Sequence, residues 1–221
     1  MTQSNRIAGK PALAALAIIA WAGILLQFWL SIGMALANGK TATDGAVVFL
    51  GYFTVLTNVF VALTATLPLI AGSSGLGRWF GKPTMLGCAT TSIALVGIAY
   101  HVLLRSVWAP HGLQLLADVV LHYVVPISAL AYWIAYPPAA RLRFLAPLVW
   151  CGYPIGYILY AFIRGEMLGS YPYHFIDVAS LGYRQAVLNG FGLLIAFVVL
   201  GGVVVAIARF RNRFRTSPVM G

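Results

Sequence analysis

Two ionisable residues, Asp118 and His122, lie four positions apart in a stretch of chain that otherwise consists mainly of apolar residues. A spacing of four places both side chains on one face of a helix. Because an ionisable group in hydrocarbon costs several kcal/mol, such residues are rarely found in a membrane segment without a partner, a cavity or a task. We therefore expect this pair to mark a functional site.

A hydroxyl group near this pair would complete the side chains of a nucleophilic hydrolase, and Thr54 lies in an earlier apolar stretch. A threonine alcohol is almost entirely neutral at about pH 7, so its attack on a substrate requires a base. An imidazole titrates near that pH, so His122 can accept the proton and return it to the leaving group. Asp118, one turn earlier, can orient the imidazole and stabilise its charged form, as the third member of a triad does.

The composition indicates that these residues lie in a membrane protein. Hydrophobic residues make up 61% of the chain and charged residues 8%, and the mean hydropathy is +0.91, which excludes a soluble domain with one buried core. Crossing about 30 Å of hydrocarbon takes roughly 20 apolar residues in a helix. Six stretches qualify: residues 13–36, 46–70, 85–104, 112–136, 145–163 and 185–208. The sequence therefore predicts an all-α, polytopic bundle of six transmembrane helices that forms one domain over residues 1–221.

The Lys and Arg residues are distributed unequally between the two sides of this predicted bundle. The excess of basic residues on one side places both termini, including a basic tail over residues 209–215, in the cytoplasm. The net charge of +10 is therefore a topology signal, and we expect no nucleic-acid partner. The predicted cytoplasmic side has Arg6, Lys10, Arg78, Lys82, Arg141, Arg143, Arg209, Arg211, Arg213 and Arg215, and the other side has Lys40, Arg105, Arg164 and Arg184.

Helix direction allows the depths of the candidate residues to be compared. Thr54 lies eight residues after Ala46, about 12 Å into the second segment from the outer side. His122 lies ten residues after Gly112, about 15 Å into the fourth segment from the same side. The two residues are therefore expected at similar depth. Other polar side chains are expected in the outer half of the bundle, where a water-filled cavity would satisfy them. These cavity candidates are Thr57, Asn58, His101, Gln185 and Asn189, with Tyr171 and Tyr173 in the long outer loop over residues 164–184.

Three short stretches of the chain resemble one known family. They are residues 52–58 (YFTVLTN), residues 121–126 (LHYVVP), and residues 155–160 (IGYILY) taken together with 171–173 (YPY). These look like the androgen-induced-gene family of multi-helix membrane proteins, which has bacterial relatives. The resemblance implies an intramembrane threonine hydrolase acting on fatty acid esters of hydroxy fatty acids, located here in the inner (plasma) membrane of a bacterium. Thr54, after Phe53, matches the family's nucleophile, and His122, before Pro126, matches its histidine. The orienting role of Asp118 is inferred from its spacing alone.

Other functions stay open at this point. A proton-coupled transporter would use Asp118, His122 and His101 as a relay, although the chain shows no internal repeat of the kind common in transporters. A b-type haem protein would use His101 and His122 as axial ligands, but their expected depths differ. A purely structural role is the fourth possibility. For the hydrolase we expect a lipid or fatty-ester substrate, no cofactor and no metal, since Cys88 and Cys151 make no metal cluster.

Overall fold

The computed structural model describes residues 9–215, with side chains described as far as residue 212. Arg6 of the predicted basic flank lies outside the described residues, as do the side chains of Arg213 and Arg215 in the tail. The regular structure in this part of the chain is helical. Its eight helices are α1 (Lys10–Ala37), α2 (Ala42–Gly51), α3 (Phe53–Ile70), α4 (Gly75–Phe80), α5 (Pro83–Leu104), α6 (Gly112–Ala135), α7 (Ala146–Leu168) and α8 (Val178–Arg215).

Six of these helices, α1, α3, α5, α6, α7 and α8, are long and apolar enough to cross a membrane. The prediction of an all-α polytopic bundle is therefore confirmed. Helix α5 lies at the centre and packs against α3, α6 and α8, while α1 packs against α2, α3 and α6. The interior side chains of α5 include Thr91 and Ser92, whose hydroxyls donate to carbonyls one turn earlier at 2.8 Å. Small and hydroxylated residues of this kind let helices approach closely inside a membrane.

The predicted second segment, residues 46–70, is not one continuous helix. Helix α2 ends at Gly51, Tyr52 has extended backbone angles (φ −88°, ψ 131°), and α3 begins at Phe53. This break leaves carbonyls at the end of α2 without helical partners, which is costly inside a membrane. Thr54 thereby becomes the second residue of a helix instead of a mid-helix residue.

Two tyrosines and an arginine of α7 bind the end of α2. The Tyr157 hydroxyl donates to the carbonyl of Gly51 at 3.0 Å, and the Tyr160 hydroxyl donates to the carbonyl of Leu50 at 3.2 Å. Arg164 donates to the carbonyl of Val47, one turn earlier, at 3.2 Å. A Cβ atom at Gly51 would lie 2.9 Å from the guanidinium carbon of Arg164, so glycine leaves the space that this arrangement needs. The α7 side chains thus stabilise the break before Thr54.

Helices α5 and α6 each contain one π-helical turn, at Tyr100–Leu104 and at Val120–Val124. A π turn inserts an extra residue into an α-helix and changes the direction in which the following side chains point, and such turns are frequent at functional sites. The two turns contain Tyr100, His101 and His122. Both therefore contribute residues to the region where the polar candidates were expected.

The connection between α7 and α8 is shorter than the predicted outer loop, because both helices extend into it. Helix α8 begins at Val178, seven residues before the predicted start, and kinks at Gly182 (φ 73°, ψ 158°), a backbone conformation that favours glycine. The remaining connection, residues 169–177, includes a short 3₁₀ turn at His174–Ile176. Tyr173 and Ile176 are buried, so the connection folds back into the bundle.

Candidate functional site

The first contact of the site joins Thr54 to His122. The Oγ1 atom of Thr54 lies 3.3 Å from Nε2 of His122, although 68 positions separate the two residues in the chain. Thr54 is 7% exposed and lies at the start of α3, while His122 lies in the π turn of α6. The distance is within reach of a hydrogen bond, so the hydroxyl proton can pass to the imidazole.

The other ring nitrogen of His122 contacts Asp118. Nδ1 lies 3.0 Å from the carbonyl oxygen of Asp118 and 3.3 Å from its carboxylate Oδ1. Both oxygens are acceptors when the carboxylate is ionised, so the hydrogen of a neutral imidazole belongs on Nδ1. Nε2 is then free to accept the hydroxyl proton of Thr54. The carboxylate thus holds the imidazole in the form that acts as a base.

Tyr100 completes the surroundings of the Asp118 carboxylate. Its hydroxyl donates to Oδ2 at 2.5 Å, while its ring stacks on the imidazole of His122 with centroids 4.0 Å apart and planes 19° apart. Asp118 is only 4% exposed, and both of its carboxylate oxygens have partners. Tyr100 could not be identified from the sequence, because the π turn of α5 sets the direction of its side chain and no spacing rule connects it to Asp118.

Tyr173 contacts the proposed nucleophile directly. Its hydroxyl oxygen accepts from the backbone N–H of Thr54 at 3.2 Å and lies 3.4 Å from Thr54 Oγ1. This N–H belongs to the first turn of α3 and has no partner within the helix. Burial raises the pKa of Tyr173 to about 12, so its phenol keeps its proton near neutral pH. A hydrogen-bonded series can therefore run from Tyr173 through Thr54 and His122 to Asp118.

Asn58, one turn after Thr54, connects α3, which carries Thr54, to α6, which carries His122. Its side-chain nitrogen donates to the carbonyl of Thr54 at 2.8 Å and to the carbonyl of Leu121 at 3.3 Å. Leu121 precedes His122, so this one fully buried amide sets the position of α3 relative to α6. We therefore assign Asn58 a positioning role in place of the expected contact with a cavity.

Two cavities meet at Thr54, Tyr100 and Tyr173. The larger has a volume of about 300 Å³, and residues of α1, α2 and α6 line it, including Asp118 and His122. The smaller has a volume of about 60 Å³ and a mostly apolar lining, to which α5, α7 and α8 contribute side chains such as Leu95, Ile158 and Leu193. Thr54 therefore lines a partly polar space and an apolar one.

The remaining cavity candidates lie elsewhere, and of the seven expected residues Tyr173 alone lines either cavity. Thr57 is fully buried against the Tyr153 hydroxyl, 3.2 Å away. His101 is exposed beside Tyr123. The physical reason is that local breaks in the helices change the direction of the side chains: the break at Tyr52 precedes Thr57, the π turn of α5 contains His101, and the kink at Gly182 precedes Gln185 and Asn189. The other candidates bond near the end of α7 and the start of α8: Gln185 to Asn189, Asn189 to the carbonyl of Phe175, and Tyr171 to Glu166.

The histidines do not form a ligand pair in this arrangement. His122 has a contact at each ring nitrogen, with Asp118 and with Thr54, and His101 contacts Tyr123. Within residues 9–215 no three side chains of the His, Cys, Asp and Glu types converge to hold a metal ion. The haem interpretation would require His122 to give up one of its two contacts.

The assembled site consists of a hydroxyl, a base, a carboxylate that orients the base, and a phenol beside the hydroxyl. Such an arrangement can activate a hydroxyl for attack on a carbonyl carbon.

Compared with models of known protein families, with curated proteins and with solved structures, the chain has no match in any of the three.

Proposed function

We propose that this protein is an intramembrane hydrolase of lipid esters in which Thr54 is the nucleophile and His122 the base. The observation that carries the proposal is the continuous contact from Thr54 Oγ1 through the imidazole of His122 to the buried carboxylate of Asp118. Hydroxy-fatty-acid esters are the substrates that the family resemblance suggests. The charge distribution supports an orientation with both termini in the cytoplasm, and a bacterial inner (plasma) membrane is the proposed location.

Acylation is the first half of the proposed reaction. Thr54 Oγ1 attacks the ester carbonyl carbon while its proton passes to Nε2 of His122, and a tetrahedral intermediate forms. The intermediate collapses, the bond to the alcohol oxygen breaks, and the imidazolium donates its proton to the departing alcohol. Asp118 stabilises the imidazolium during these steps, and the stacked ring of Tyr100 limits the rotation of the imidazole.

The negative charge of the intermediate requires hydrogen-bond donors. Tyr173 already accepts from the Thr54 N–H, so its own proton is available to an oxyanion that forms next to Thr54 Oγ1. The amino-terminal end of α3 adds a partial positive charge at the same point. Donors held in place before the reaction lower the barrier because they do not have to reorganise.

Deacylation returns the enzyme to its starting state. A water molecule attacks the acyl-threonine carbonyl, and His122 accepts its proton and then returns it to Thr54 Oγ1. The fatty acid leaves, so one ester and one water give one acid and one alcohol. The apolar cavity between α5, α7 and α8 suits the first carbons of the acyl chain, while the larger cavity offers room for the alcohol part.

Hydrolysis by detergent-purified protein tests the proposal. We expect the wild type to hydrolyse long-chain esters and Thr54→Ala and His122→Ala to lose the activity while still eluting as single folded species. Thr64→Ala is the matched control, because Thr64 is a buried threonine of the same helix that bonds to its own backbone at Val61. Activity that survives both site substitutions would exclude the mechanism.

A proton-coupled transporter is the second candidate, and the break between α2 and α3 is the observation that favours it. Transporters often have a discontinuous helix beside a substrate site, and Asp118 and His122 lie close to this one. Proton flux into liposomes that contain the protein distinguishes the candidates. A substrate-dependent flux that disappears in Asp118→Asn, together with no ester hydrolysis, would favour transport.

A further inference from the structure

Three hydrogen-bonded polar side chains, which we call the polar series, lie in the wall of the larger cavity, away from the proposed catalytic residues. Gln114 of α6 donates to the side-chain oxygen of Gln27 at 2.8 Å, and Gln27 of α1 donates to the Ser31 hydroxyl at 3.2 Å. All three residues line the cavity that Thr54 and His122 also line. These three residues take no part in the proposed acylation and deacylation.

The series leaves hydrogen-bonding capacity unused. The side-chain oxygen Oε1 of Gln114 is buried and has no partner among the described residues. Ser31 is 6% exposed, and its hydroxyl accepts from Gln27 while keeping a proton to donate. A buried polar atom without a partner is unfavourable, so a ligand that satisfies it gains binding free energy. One acceptor and one donor in the same wall match the two capacities of a hydroxyl group.

The charges around the cavity disfavour an ionised ligand. No lysine or arginine is among its described lining residues, while the Asp118 carboxylate is. A carboxylate or phosphate bound there would lose its hydration without gaining a cationic partner. The lining histidines His122 and His174 are the possible sources of positive charge. An uncharged polar group is therefore the better match to this wall.

Distance along α6 determines where that group lies on a substrate. Gln114, Asp118 and His122 follow one another at intervals of four residues, so they lie on one face of the helix. Gln114 precedes His122 by eight residues, or about 12 Å at 1.5 Å per residue. A glycerol group next to the ester would be too short to bridge this distance.

We propose that Gln114 and Ser31 form a subsite for an uncharged hydroxyl group that lies about 12 Å from the ester bond, on the alcohol part of the substrate. This proposal rests on the proposed hydrolase function and specifies its substrate class. The first carbons of the acyl chain then lie in the apolar cavity beside Leu193, and the alcohol part extends along α6 toward Gln114. Esters whose alcohol part ends in a carboxylate, which include the hydroxy-fatty-acid esters that the family resemblance suggests, are then poorer substrates than esters of uncharged alcohols, because the carboxylate would meet no cation.

Three palmitate esters of equal length test the subsite. They are the ester of 1-octanol, the monoester of 1,8-octanediol and the ester of 8-hydroxyoctanoic acid, all assayed at the same pH. We expect kcat/KM for the octanediol monoester to exceed that of each of the others by about tenfold or more, the effect of a buried hydrogen bond gained or lost. Equal values for the three esters, or a preference for the carboxylate, would overturn the subsite while leaving the hydrolase function intact.

Substitutions of Gln114 and Ser31 test whether these residues cause the preference for the octanediol monoester. Gln114→Leu and, separately, Ser31→Ala should each reduce the ratio of the octanediol to the octanol ester toward one. Gln185→Leu is the control, because Gln185 is an exposed glutamine of α8 that lines neither cavity, and it should keep the wild-type ratio. An unchanged ratio in both folded variants would contradict the subsite. Absence of turnover on all three esters by folded wild type would instead refute the hydrolase function, and the subsite proposal with it.

Discussion

The Tyr100 hydroxyl lies 2.5 Å from Oδ2 of Asp118, and the two residues come from the π turn of α5 and the turn of α6 just before its own π turn. Through this contact the carboxylate has a partner on each oxygen, since His122 lies 3.3 Å from Oδ1. A buried carboxylate without such partners would be strongly unfavourable in a membrane protein. Tyr100 therefore allows Asp118 to remain beside His122 and to orient it.

Replacing Tyr100 by phenylalanine tests this relationship. The ring stacking on His122 is kept, but one oxygen of Asp118 loses its donor, so we expect a loss of about 1–3 kcal/mol in the free energy of unfolding and a lower kcat. Thermal unfolding and ester hydrolysis in detergent measure the two effects. Tyr123→Phe is the control, because the Tyr123 hydroxyl contacts the exposed His101 instead. Equal behaviour of the two variants would contradict the role given to Tyr100.

Asp118→Asn tests the orientation of the imidazole. An amide can present its N–H group to Nδ1, which favours the form of His122 with its hydrogen on Nε2, the wrong form for a base. We expect kcat to fall by roughly 10²–10⁴ while KM changes little, as for an interaction that matters mainly in the transition state. Steady-state kinetics on a long-chain ester measure both constants. A variant with wild-type kcat would show that the carboxylate does not orient the base.

Tyr173→Phe tests the donor beside Thr54. If the phenol stabilises the oxyanion, its removal lowers kcat by about 10²–10³, the range for loss of one such donor. Tyr171→Phe is a close control, since Tyr171 lies two residues away and bonds to Glu166. Similar kcat values for the two variants would remove Tyr173 from the mechanism.

The pH dependence of the wild type provides a separate test of Tyr173. Only the protonated phenol can donate, and burial raises its pKa from 10.0 to about 12. The donor is therefore present below the raised pKa and is lost as the pH rises through it. We expect kcat, measured in a detergent-stable pH range, to show no decrease as the pH passes through about 10, the value for a free tyrosine. A decrease at that pH that is absent in Tyr173→Phe would show that the phenol ionises normally.

Tyr157→Phe tests the support of the helix break. The change leaves the Gly51 carbonyl without its donor at the end of α2, which should cost about 1–3 kcal/mol of stability and move Thr54 relative to His122. Tyr160→Phe, which affects a more exposed bond to Leu50, should cost less. Thermal unfolding of the two variants gives the comparison. A larger loss in Tyr160→Phe would contradict the importance of the buried bond.

The six membrane-spanning helices could be predicted because each is a long apolar stretch. Counting residues along these stretches also predicted that Thr54 and His122 lie at similar depth. It did not predict the break at Tyr52, because the apolar pattern runs through it and its partners Tyr157, Tyr160 and Arg164 lie about a hundred residues away. One signal of the break was present in the sequence: Gly51, a conformationally flexible residue within the predicted segment 46–70. The polar series of α1 and α6 was missed because glutamine and serine at separate positions carry no pattern.

Helix rotation explains the other differences. Counting residues gives the depth of a side chain, but its direction depends on every turn before it, and a π turn changes that direction. Tyr100 and His101 are adjacent, yet the first faces Asp118 in the interior and the second is exposed. The prediction from residue type and expected depth included His101 and omitted Tyr100.

The most direct test of the central claim is covalent labelling of the nucleophile. The detergent-purified protein is treated with a long-chain fluorophosphonate, and the labelled residue is identified by mass spectrometry of its peptides. We predict one adduct on Thr54 that is absent in Thr54→Ala and strongly reduced in His122→Ala, with Thr64→Ala labelled like the wild type. Labelling of another residue, together with ester hydrolysis retained in Thr54→Ala, would contradict the assignment of Thr54 as the nucleophile.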